Sequence, residues 1–73
     1  MRVLDVLAAL GRRGLVAIVK IDGERQEPDA RRWTFVVTGG ALTAAPIRVD
    51  AVSPAECMED ALRILRERGI ELS

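Results

Sequence analysis

Four groups of side chains in this sequence are of types that could do chemistry. Cys57 is the sole thiol; early in a helix it would sit where the helix dipole lowers a thiol pKa and favours a nucleophilic thiolate. Asp22, Glu24, Glu27 and Asp29 crowd four carboxylates into one short stretch, as a hard cation such as calcium requires. Gly39 and Gly40 have the backbone freedom of a phosphate cradle. Arg31 and Arg32 beside Trp33 combine guanidinium charge with a large ring, the pairing used to stack on bases and hold phosphates.

Each group also has a plainer reading, set by its neighbours. The chain has no histidine, so Cys57 lacks an imidazole base, and Glu56, Glu59 and Asp60 oppose a thiolate there; a core thiol is expected. The carboxylates do not follow EF-hand spacing and Arg25 stands among them, which reads as a solvated hairpin loop. No GxGxxG or GxxxxGK surrounds Gly39 and Gly40, so they read as a turn. Trp33 reads as the largest residue of the core, with the arginines as its solvated flank. Lack of histidine further removes the Ser-His-Asp triad, the Cys-His pair and the HExxH zinc site. A protein that is not an enzyme, with no cofactor and no metal, is the expectation.

The elements that must position these groups are limited by length. With 73 residues, 49% of them hydrophobic, residues 1–73 can make one small domain that buries about 60% of its unfolded surface. A large catalytic cleft does not fit. Eleven basic side chains balance eleven acidic ones, whereas coating nucleic acid or an anionic membrane needs a standing basic excess. The single cysteine and the lack of a signal-peptide pattern point to a reducing cytoplasm. No apolar run approaches the 18 or so residues of a membrane span.

Residues 3–10 place Val3, Leu4, Val6, Leu7 and Leu10 at helical spacing, with Gly11 and Gly14 as stops and Arg12 and Arg13 at the negative end of the dipole. Residues 15–21 are β-branched and apolar and predict a strand. Residues 31–38 predict a second, with Trp33, Phe35 and Val37 inward and Arg32, Thr34 and Thr38 outward, and the two form an antiparallel hairpin. Ile47, Val49 and Ala51 alternate as a third strand, while residues 41–43 fit either a loop or an extension of the second. A last helix opens at Ser53 as N-cap, Pro54 at its first position and Glu56 closing a capping box, with Val52 stapled on Cys57. Met58, Ala61, Leu62 and Leu65 form its apolar face, and Gly69 caps its end with Ile70 against Leu65. The predicted fold class is a two-layer α+β domain, α-β-β-β-α, with two helices on one face of a three-stranded antiparallel sheet.

This order resembles the double-stranded RNA-binding domain over nearly the whole chain, with residues 4–14 as first helix, Pro28-Asp29 in the first hairpin loop and residues 32–38 as second strand. The resemblance implies that topology. In that family a Lys-rich start of the last helix, and a loop with Gly, Pro and His between the first two strands, hold RNA. Here the helix starts Ser53-Pro54-Ala55-Glu56-Cys57-Met58-Glu59-Asp60, which repels phosphate, and the loop has no His. Residues 15–68 also resemble small antitoxins of the HicB type, in three strands followed by a helix entered through Ser-Pro-x-Glu.

A self-contained chain starting at Met1 without catalytic chemistry is expected to act through its surface. Antitoxins, immunity proteins and phage-encoded inhibitors such as anti-CRISPR proteins are of this size and character. The reading is a protein-binding module acting stoichiometrically on an unidentified protein partner, with Glu24, Arg25, Glu27, Asp29, Arg31 and Arg32 as the binding residues. The sheet face away from the helices is a further surface, and an exposed strand edge could pair with a second copy as a homodimer. The competing reading is a nucleic-acid-binding domain that uses Arg31, Arg32 and Trp33, joined by Arg12, Arg13, Lys20 or Arg48 across the sheet.

Overall fold

The computed structural model describes residues 2–72. Helix α1 (Val3–Arg12) leads into strands β1 (Val16–Ile21), β2 (Trp33–Thr38) and β3 (Ile47–Ala51), and helix α2 (Pro54–Glu67) follows. The strands form one antiparallel sheet in the order β1-β2-β3. The α-β-β-β-α architecture predicted from the pattern is therefore the observed one.

Side-chain alternation along the strands builds the two layers. Phe35 and Val37 of the central strand, Ile47, Val49 and Ala51 of β3, and the half-buried Ala17 and Val19 of β1 point to the helices. They meet Val6 and Leu10 of α1 and Cys57, Met58, Ala61 and Leu65 of α2 in one hydrophobic core. Leu4, expected in the α1 stripe, is 76% exposed. The stripe is centred on Val6 and Leu10, and Leu4 lies about 140° around the helix from that centre, toward the solvent side.

Both helices end in the same way. Gly14 and Gly69 have φ of 77° and 79°, the left-handed conformation that costs an L side chain energy. Gly14 N–H donates to the Gly11 carbonyl (2.9 Å) and Leu15 N–H to that of Leu10 (3.1 Å); Gly69 and Ile70 repeat the pattern on Arg66 (3.0 Å) and Leu65 (2.9 Å). These are paired Schellman bonds, which satisfy carbonyls the helix leaves open. β1 begins at Val16 and not at Leu15 as expected, since the left-handed Gly14 and the Leu15 bond to Leu10 still belong to the end of α1.

At the start of α2 the Ser53 hydroxyl accepts from Glu56 N–H at 3.2 Å, with Pro54 in the first position. Among the described residues no bond returns from the Glu56 carboxylate, so half of the expected capping box forms. Val52 is 38% exposed and lies outside the core, in place of the expected staple on Cys57. Residues 41–43 do not extend β2. A 3-10 turn, Gly40–Leu42, follows Gly39 and drops Leu42 into the core. The second strand is also shorter than expected, starting at Trp33, which leaves Arg31 and Arg32 in the preceding loop.

Candidate interaction surface

The loop 22–32 is built on a small polar frame. Asp22 accepts from the Glu24 N–H at 3.0 Å and pairs with Arg25 Nε at 3.3 Å. Arg25 also donates to the Arg31 carbonyl at 3.0 Å, which ties the two limbs of the loop together. Backbone turns close from Arg25 N–H to Asp22 O (3.2 Å) and from Ala30 N–H to Glu27 O (3.0 Å). Of the six residues expected to bind a partner, Glu24, Glu27, Asp29 and Arg31 are exposed with no side-chain bond among the described residues. Arg25 is exposed but braces the loop, and Arg32 is half-buried. No three Asp, Glu or Cys side chains of the described residues converge as metal ligands.

The basic groups proposed to join Arg31, Arg32 and Trp33 are not brought together. Trp33 pairs with Ile21 and, like Phe35, points to the helix side, where it is half-buried and packs on the edge of the core. Phe35 is the largest fully buried side chain, a place the sequence suggested for Trp33. Lys20 and Arg48 belong to the opposite face by strand alternation. Arg12 and Arg13 lie at the end of α1 beside the start of β1, at the other end of the sheet from the loop. Arg13 donates to the Glu71 carbonyl there.

The sheet face away from the helices holds residues that sequence pattern singled out only collectively. One half is apolar: Val16 and Ile18 are each 54% exposed, and Ile18 pairs with the half-buried Val36. The other half is polar. Thr34 stands between Lys20 and Asp50 on the neighbouring strands and donates to Asp50 Oδ1 at 2.6 Å. Arg48 Nε lies 3.3 Å from Asp50 Oδ2. The Thr34 hydrogen bond, with Arg48 beside it, holds the Asp50 carboxyl below the usual aspartate range against the opposing effect of burial. The sequence signal for this face was the apolar character of both sides of β1.

Cys57 is 1% exposed, with its thiol directed at the carbonyls of Val49 (3.6 Å) and Trp33 (3.8 Å). Burial pushes its pKa up, and Asp50, Asp60 and Glu56 add to the shift. The thiol is protonated and enclosed at neutral pH, the reverse of an activated nucleophile. A groove of about 470 Å³ runs between the start of α1 and α2, lined by Val3, Pro54, Met58 and Leu62 with Arg2 and Glu59.

Among the described residues no helix is long and apolar enough to cross a membrane. Comparison with protein-family models, with curated proteins and with solved structures finds no match to this chain.

Proposed function

We propose that this chain is a non-enzymatic protein-binding module that acts stoichiometrically in the cytoplasm, as a small inhibitor of the antitoxin or phage anti-defence kind. The observation that supports it is the braced loop 22–32, which presents Glu24, Glu27, Asp29 and Arg31 to solvent over the Asp22–Arg25–Arg31 frame. A loop already ordered loses less conformational entropy on binding than a floppy one. Its mixed charges suit a protein surface of complementary mixed charge more than a uniformly anionic polymer. The alternative, nucleic-acid binding through Arg31, Arg32 and Trp33, has less support because Trp33 packs on the core and Lys20 and Arg48 face the other way.

The test is affinity capture from a lysate of the organism that makes the protein, with and without nuclease. The expected result is a discrete protein retained after nuclease and lost when Glu27, Asp29, Arg31 and Arg32 are charge-reversed, while the melting temperature stays nearly unchanged. Retention by the charge-reversed chain would remove the loop from the binding site. Loss of all bound material with nuclease would favour the nucleic-acid reading.

A further inference from the structure

We propose that β1 pairs with β1 of a second copy of this chain, antiparallel about a two-fold axis at Ile18, to give one continuous six-stranded sheet. The proposal is independent of the role assigned to the loop 22–32. It starts from the difference between the two edges of the sheet. Asp22 N–H donates to Arg32 O at 2.8 Å, in line with the β1–β2 register. By antiparallel alternation, residues 16, 18 and 20 turn their backbone groups to β2, while Ala17, Val19 and Ile21 turn theirs outward. Among the described residues no other element bonds that outward row.

The β3 edge is guarded. The same alternation leaves Arg48 and Asp50 with outward backbone groups, and Pro46 directly precedes the strand. Charged residues and proline are the means by which proteins blunt strand edges. The β1 edge has none of them apart from Lys20, and it adds apolar exposure: Val16, Ile18 and Ile21 are all more than half exposed. An open apolar edge of this kind is a template for another strand.

That strand is assigned to a second copy because the edge complements itself about a two-fold axis. An axis at Val19 would pair the same outward groups but set Ile18 against Lys20 of the copy, whereas an axis at Ile18 sets apolar against apolar at its centre. With the axis at Ile18, the outward N–H groups of Ala17, Val19 and Ile21 meet carbonyls of Val19, Ala17 and Leu15 of the copy. The Leu15 N–H needs no acceptor, since Leu10 already takes it. Ile18 then faces its own equivalent beside Val36, Ile21 comes next to Leu15 of the copy, and Lys20 faces Val16. Centring the axis on Lys20 instead would set two ammonium groups directly opposite each other, which is destabilising. The chain carries no net charge, so no overall repulsion separates two copies.

The experiment is sedimentation of the full chain over a concentration series, together with single-cysteine cross-linking. The chain is expected to sediment at twice its 8.0 kDa mass at micromolar concentration. Ile18→Lys is expected to sediment as a monomer with unchanged circular dichroism, because Ile18 is an exposed residue of the monomer. Ile18→Cys is expected to form a disulfide dimer on mild oxidation, since facing residues of a non-hydrogen-bonded pair lie about 4.5 Å apart at Cα, within disulfide range. Lys20→Cys, on the same strand and face, is expected to cross-link far more slowly, and buried Cys57 contributes no background. A monomer at every concentration, or equal cross-linking at positions 18 and 20, would overturn the proposal. So would a chain that stays monomeric until a different protein is added.

Discussion

The Thr34 hydroxyl donates to Asp50 Oδ1 at 2.6 Å across neighbouring strands, on the sheet face that no helix covers. Thr34 is only 5% exposed there, shielded by side chains of the flanking strands and not by a second layer. This pair, with Arg48 on the other carboxylate oxygen, is what turns one half of an otherwise open face into a fixed polar surface.

Asp50 links that surface to pH. Its folded pKa is depressed, so its contribution is complete above the unfolded aspartate value of about 3.9 and is lost as pH falls through the lower folded value. Asp50→Asn is therefore expected to be less stable than the parent at pH 6. The gap should begin to narrow below about pH 4 and close only once the pH is below the depressed folded value. Urea denaturation at a series of pH values checks it, and a gap that stays constant into acid would contradict the assignment.

The core prediction separates two aromatic residues. Phe35, fully buried at the centre of β2, should cost about 3–5 kcal/mol when changed to Ala. Trp33→Ala should cost clearly less, because the ring is half-buried at the margin. Thermal unfolding of the two variants side by side measures the order; a greater loss at Trp33 would place the ring deeper in the core.

Helix ends give a second stability test. Ser53→Ala removes the acceptor for Glu56 N–H and is expected to cost about 1 kcal/mol. Gly69→Ala places a side chain on a left-handed residue and should cost about 1–2 kcal/mol. Chemical denaturation reads both, and stabilities equal to the parent would mean that these caps do not hold the ends of α2.

Cys57 is expected to resist thiol reagents in the native protein at pH 8 and to react fully once the chain is unfolded. Its burial and its raised pKa act in the same direction. Colorimetric labelling with and without denaturant follows this directly. Rapid native labelling would show that the thiol reaches solvent.

Much of the fold was legible because local rules and core burial agree along the chain. Ser53-Pro54 and Gly69 mark the ends of α2 by backbone chemistry that needs no tertiary context. Period-two alternation picked out β2 and β3. Less legible were the residues whose fate depends on distant neighbours. Leu4 has the composition of a core residue but lies off the stripe, and Leu42 sits in a weakly patterned segment yet fills the core. The candidate surface divides in the same way. The charged loop was plain from its residues, but its brace from Arg25 to the Arg31 carbonyl spans two limbs that pattern does not connect.

By itself the sequence determined the element order, the caps and the alternating faces, since these follow from backbone preferences and from apolar spacing within each segment. Only the tertiary structure decided which faces stayed open, because exposure depends on what packs opposite. It set Lys20, Thr34 and Asp50 in one row across three strands, with Arg48 in the next row beside Asp50. It also left the apolar edge of β1 without a strand neighbour among the described residues, while Arg48 and Asp50 guard the other edge.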